Sequence, residues 1–237
     1  EGLVLQDTSN GSSSLSSSTK QYKFAHDRIR EAACNSIAEG EERDQFLLGI
    51  VNVLMERYQH DHPEFGSSDK AKQSSNIPVS GTEMTENTDW MLFTAVSHLN
   101  TIAPRFTDAE HVATMNLHVG KLAVAKGAFS DAIHFFRPGV KRLQETFASF
   151  CWKNHYDLTL ELYNYLLECE HTMGQLHEAE LSVQTVFRHA TSLQDKLRAQ
   201  RIYLLLKCGA DNRGYKEAVD PGLEILQMYE IEIPSEP

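Results

Sequence analysis

No apolar run in this 237-residue chain approaches the ~20 consecutive residues that cross a bilayer, and no leader peptide opens it. No membrane partner is expected. Basic runs are equally absent: Lys and Arg total 22 against 33 Asp and Glu, a formal charge of -11. A broad phosphate-binding face, and with it a nucleic-acid partner, is therefore not expected. Cysteine is sparse. Cys34, Cys151, Cys169 and Cys208 show no paired spacing and lie in apolar, helix-like stretches, which suits reduced, buried thiols and a cytoplasmic location. Motifs that carry chemistry are missing too: no G-x-x-x-x-G-K-[ST] string to cradle phosphates, and no strand ending in acidic residues to hold magnesium. The expectation is a non-enzyme, with no catalytic, cofactor-binding or metal-ligating residue and no cofactor. The chain opens on Glu1 rather than Met, which suggests a piece of a longer protein.

Two stretches lack the apolar surface that would offset the entropy of ordering them. Residues 8–20 read TSNGSSSLSSSTK, so 1–21 is expected to be a disordered Ser-rich segment. Residues 59–88 hold two prolines, two glycines and hardly any large apolar side chain, and read as a flexible linker or insertion. Everything else reads as helix. Phe46, Ile50, Leu54 and Tyr58 recur every four residues as one apolar stripe. A helix over 149–173 aligns Leu158, Leu162, Tyr165, Leu166, Cys169 and Met173, and one over 176–190 aligns Leu176, Ala179, Val183, Val186 and Ala190. Further helices are expected near 26–37, 90–102, 108–126, 129–146, 193–210 and 215–229. Period-two alternation is confined to a short extended tail at 231–233. The fold class is all-α.

A weak repeat arranges these helices. Gly127-Ala-Phe129-Ser-Asp-Ala132 and Gly174-Gln-Leu176-His-Glu-Ala179 share the form G-x-[large]-x-x-A, and Gly214-Tyr215-Lys-Glu-Ala218 keeps it with the glycine moved by one position. Glycine ends a helix in the left-handed conformation, the large residue fills the inter-helix space, and alanine lets two backbones approach. These are the turn requirements of a tetratricopeptide (TPR) hairpin, although the alanine spacing exceeds the regular repeat. Stacked antiparallel helical hairpins, a TPR-like array, are expected over 89–237.

Tyr22-Lys-Phe24-Ala-His26-Asp27-Arg28-Ile29-Arg30-Glu31-Ala32-Ala33 resembles the F-x-F-x-H-D-R-[VI]-x-E-A-A signature that closes the ATPase module of large AAA/STAND-type signalling proteins. The resemblance continues in Leu92-Phe93-Thr-Ala-Val96-Ser-His98-Leu99-Asn100 (L-F-x-x-V-x-H-L-N) and in Asn116-Leu117 with Gly120 (N-L-x-x-G). Trp152, Tyr156, Leu158, Leu160 and Leu162 follow the family's W-x-x-x-Y-x-L-x-L-x-L helix, and the stretch from Gly222 to Pro234 is similar to one that closes a hairpin there. In such proteins the ATPase region commonly lies between a Ser/Thr kinase-like domain and GAF and histidine-kinase domains. The resemblance implies that 22–58 is the helical, winged-helix-like end of an ATPase-associated region, ahead of the repeat array. It implies a non-catalytic interaction or regulatory segment whose partner is a protein or a neighbouring domain of a larger parent. The alternatives are a fragment of an ATPase or protein/histidine kinase whose catalytic domains lie elsewhere, and a small metal- or thiol-dependent enzyme.

Remaining chemistry-bearing residues each have a plainer reading. His60-x-His62 with Asp61 and Glu64 lacks a distant ligand, and metal sites need three or four converging ones. Cys169-Glu170-His171 are adjacent on a helix and point in different directions. His26-Asp27 falls in a first helical turn, where a carboxylate favours the dipole. Phe129, Phe135, Phe136, Phe147, Phe150 and Trp152 read as core between hairpins, and Glu39, Glu41 and Glu42 as a solvated helix start.

Overall fold

The computed structural model describes residues 4–6, 22–24, 39–62, 88–209 and 214–231. The chain divides into two compact units, residues 1–46 and 47–237. In the first, β1 (Val4–Gln6) pairs antiparallel with β2 (Tyr22–Phe24), Val4 opposite Phe24 and Gln6 opposite Tyr22. Three residues of the 1–21 segment are thus extended. β-branched and aromatic residues favour a pleated ladder, but a three-residue strand is too short to reveal a period of two. The expected helix at 26–37 and the stretches 8–20 and 63–87 lie outside the described residues, as do 232–233 of the expected tail.

Every other regular element among the described residues is helical. The first, α1 (Glu41–Asp61), crosses the boundary between the units and takes in the first residues of the expected 59–88 linker. Its buried residues are Val51 and Tyr58, while Phe46 is 54% exposed. The expected every-fourth-residue stripe is therefore only partly the packing face. Steps of four drift by about 40° each on a helix of 3.6 residues per turn. Alternating steps of three and four, Val51 to Leu54 and Met55 to Tyr58, stay on the contact face. They meet α2 (Asp89–Thr101) through Leu92, Ala95, Val96 and Leu99.

A 3-10 turn at Pro104–Phe106 leads into α3 (Ala109–Ala125), whose first turn is capped by Asp108 accepting from the His111 N–H at 2.9 Å. Then come α4 (Phe129–Phe147), a four-residue α5 (Cys151–Asn154), α6 (Tyr156–Thr172), α7 (Leu176–His189), α8 (Leu193–Gly209) and α9 (Gly214–Met228). Short turns join α3 to α4 and α6 to α7, and both pairs pack together, as do α8 and α9. Packing also joins α4 to α6, α7 to α8, α3 to α6, α6 to α8 and α2 to α4.

The turn glycines behave as their strings require. Gly127 (φ 74°) and Gly174 (φ 73°) are left-handed. Gly127 N–H donates to Val124 O and Ala128 N–H to Ala123 O; Gly174 and Gln175 repeat this toward His171 and Glu170. This paired closure satisfies the last helical carbonyls. Ala132 and Ala179 are fully buried and Ala218 nearly so. The large residue behaves unevenly: Phe129 packs against the core, but Leu176 is 48% exposed.

The helix expected over 149–173 is broken. Ala148 turns back at φ 49°, Ala148–Phe150 form a 3-10 turn, and the chain bends again at His155 before α6 begins. The reversal lets Trp152 drop into the core, stacked on Tyr163 at 5.4 Å and on His189 at 5.0 Å. At the other end of the same expected stripe Met173 is exposed. Two helical glycines mark the tightest crossings. A Cβ on Gly120 would lie 2.2 Å from the Phe136 ring, and one on Gly139 would lie 3.0 Å from Asn116 Cβ and 3.1 Å from Leu162.

Candidate functional site

An open groove of about 390 Å³ runs between α2 and α4. Phe93, Thr94, Ser97 and His98 share one face of α2 at helical spacing, and Asp131, His134 and Phe135 share one face of α4. Phe93 and Phe135 meet edge to face at 5.4 Å and form an aromatic floor.

Around that floor stand the Thr94 and Ser97 hydroxyls, the His98 and His134 rings and the Asp131 carboxylate. Ser97 Oγ–H donates to the Phe93 carbonyl at 2.8 Å, which leaves its oxygen as an acceptor. His134 Nδ1 lies 2.8 Å from the Ser130 carbonyl. A carbonyl only accepts, so Nδ1 is the donor in this bond. Pro138 has no N–H, so the His134 carbonyl lacks its usual donor four residues on. Asp131 is exposed in the first turn of α4, where the helix dipole favours a carboxylate, and has no ion-pair partner among the described residues. Burial pushes His98 below the ordinary imidazole range, which keeps it neutral near pH 7. One cation already stands at the rim. Lys126 Nζ is 5.9 Å from the Phe93 ring centre and pairs with Asp89 at 2.6 Å.

The opposite array of charges is closed on itself. Lys121 of α3 pairs with Glu161 of α6, and Glu168 of α6 takes Arg198 through both oxygens (3.0 and 2.6 Å) together with Arg201 (2.8 Å) from α8. Tyr165 lies between Lys121 and Arg198. Buried Glu170 is held by Arg137 and by the Ser182 hydroxyl, each at 2.8 Å, which links α4, α6 and α7. These pairs stitch successive helices and leave few free groups.

The residues singled out in the sequence are dispersed. His60 touches only Asp61 among them, at 3.1 Å. His62 is buried, stacked on Tyr58 at 4.3 Å, with Nε2 2.8 Å from Thr88 Oγ1; Glu64 lies outside the described residues, as do His26 and Asp27. Among the described residues no three His, Cys, Asp or Glu side chains gather as a metal site. Burial, with Glu168 and Glu170 nearby, pushes the Cys169 thiol up to about 11, the opposite of an activated nucleophile. Its neighbour Glu170 is committed to Arg137 and Ser182, and His171 is half-buried. Of the aromatic set, Phe135, Phe136 and Trp152 are buried and Phe129 and Phe147 half-buried, but Phe150 is 61% exposed. It sits in the turn that reverses after Ala148. Glu39, Glu41 and Glu42 are exposed at the start of α1.

Three polar arrangements went unread in the sequence. Asn100 and Asn116 exchange amide hydrogen bonds at 2.9 and 2.7 Å, and Asn116 also donates to the Val112 carbonyl. The 92–100 and 116–120 strings thus meet through an amide pair. Arg142, 6% exposed, donates to the carbonyls of Leu99 (3.2 Å) and Ile102 (2.9 Å) and closes the end of α2 from α4. At the start of α8, Ser192 and Asp195 cap each other's N–H, and Tyr156 donates to Asp195 at 2.7 Å; that bond leads in holding the Asp195 carboxyl below its usual range. Of these, only the S-x-x-D capping signature was visible in the sequence. Comparison with known protein families, with curated proteins and with solved structures finds no match to this chain.

Proposed function

We propose that the chain is a non-catalytic interaction segment of an ATPase-coupled signalling protein: a TPR-like stack of helical hairpins, preceded by a winged-helix-like remnant. The observation that carries the reading is recurrence. Successive hairpins bury an alanine at the same place in the string (Ala132, Ala179, Ala218), and two of them open from the same left-handed glycine closure. Contacts from α3 to α6 and from α6 to α8 extend the stack beyond each hairpin. Stacks of this kind present long faces suited to binding. The strand pair β1–β2 ahead of α1 suits the wing of a winged helix.

The test has two arms. Calorimetry with magnesium-ATP, alongside a phosphate-release assay, is expected to show no saturable heat and no turnover. Association with the ATPase module of a protein that carries the same strings is expected, weakened by Asp131→Lys in the groove. A saturable micromolar nucleotide site, or turnover by the purified chain, overturns the proposal.

A further inference from the structure

We propose that the open face of the α8–α9 hairpin pairs with the same face of a second copy of this chain, which goes beyond the interaction reading above. Two helices that share the G-x-[large]-x-x-A string differ at matching positions. Where Ala218 of α9 is laid on Ala179 of α7, the α7 residues Val183, Val186 and Ala190 are buried, in a helix packed by both α6 and α8. Their counterparts on α9, Gly222, Ile225 and Tyr229, are only half-buried. The flank turned to solvent differs more. On α7 it holds Glu180, Gln184 and Arg188, all exposed. The same positions on α9 hold Val219, Leu223 and Gln227, with Val219 53% and Leu223 40% exposed. Leu193 and Leu197 of α8 are exposed as well. An apolar row thus stands on α9 where α7 is polar, and such a contiguous row marks a surface that another molecule covers.

Charge selects the occupant. The α8 helix is basic, with Lys196, Arg198, Arg201 and Lys207 against Asp195. Asp220 and Glu224 of α9 and Glu230 just after it are exposed carboxylates, with no ion-pair partner among the described residues. A two-fold axis sets α8 of each copy across α9 of the other. Leucines then meet the Val219–Leu223 row and basic side chains meet acidic ones, each contact occurring twice. The pairing has a precedent inside the chain, where α8 docks on α6 as Arg198 and Arg201 reach Glu168. The Arg201 side chain is still 64% exposed. Each copy carries -11 overall, but in physiological salt charges more than about 8 Å apart are largely screened, and the apposed helices are of opposite sign. Two hairpins joined in this way make a four-helix bundle.

The experiment is sedimentation velocity on the full chain over a concentration series, with a melting curve of each variant to show that it is folded. A monomer–dimer equilibrium is expected, levelling at twice the chain mass. Val219→Glu and Leu223→Glu, at exposed positions, should each weaken it about tenfold or more. Asp220→Lys combined with Glu224→Lys should weaken it several-fold, because like charges then face each other. Leu181→Glu puts the same charge on a similarly exposed leucine of α7 and should leave the equilibrium unchanged. The inference is overturned by a single-chain mass at every concentration, by a dimer indifferent to Leu223→Glu or to the charge reversal, or by an equal loss in Leu181→Glu. A mass that climbs without a plateau overturns it too, since head-to-tail contacts do not close. A monomer removes the paired face alone; the interaction reading falls separately, on nucleotide turnover.

Discussion

Glu230 occupies a position that glycine fills twice elsewhere. Its φ is 57°, and the bonds from Glu230 N–H to Gln227 O and from Ile231 N–H to Leu226 O repeat the closures at Gly127 and Gly174. A side chain in that conformation costs roughly 1 kcal/mol. Glu230→Gly is therefore expected to raise stability by about 0.5–1 kcal/mol, and Gly174→Ala to lower it by a similar amount, in denaturant titrations. A second residue-scale effect concerns acid. Burial, aided by Lys121 and opposed by Asp89, holds His118 below its ordinary 6.5, and burial does the same to His98. Above that value both rings are neutral in the folded and unfolded chain. As pH falls below it the unfolded chain binds protons first, so stability is lost progressively. Melting temperatures should fall between neutral pH and about 5.5, and His118→Gln should flatten that fall; an unchanged slope would remove His118 from the account.

At the scale of helices, the decisive contacts are close approaches. Gly120 lets α3 settle on the Phe136 ring of α4. Alanine is the better helix former by about 1 kcal/mol, yet Gly120→Ala should destabilise by about 1–3 kcal/mol because its methyl overlaps the ring. Phe136→Leu in the same chain should recover part of the loss, and melting curves without that rescue would argue against the contact. Helix positions were legible in the sequence because their signals are local: the α3, α4, α7, α8 and α9 periods and the Gly127 and Gly174 strings lie within one or two turns. The break at His155 was hidden, since apolar periodicity runs through both pieces. Leu176 shows the limit of a string, which names a large residue without saying where its side chain goes. The Asn100–Asn116 pair, Arg142 and the groove depend on how two separate helices register against each other. Spacing along one helix does not encode that register.

For the molecule as a whole, one question is how much the connection between α1 and α2 matters. His62 and Thr88, the residues that flank 63–87, lie within a hydrogen bond of each other at 2.8 Å. Replacing 63–87 by a short Gly-Ser stretch, a fourfold reduction, should keep the melting temperature or raise stability by about 1 kcal/mol, because loop closure becomes less costly. A clear fall would show that the segment contributes contacts of its own. The other whole-molecule consequence belongs to Arg142. Forty residues separate it from the Ile102 carbonyl that it closes. A chain emerging from its amino end during synthesis exposes the finish of α2 to water until most of α4 has followed. The end of α2 is then completed by α4, and a pause in translation between the two would leave α2 with an open end. Assembly has a built-in order in time, set by one guanidinium.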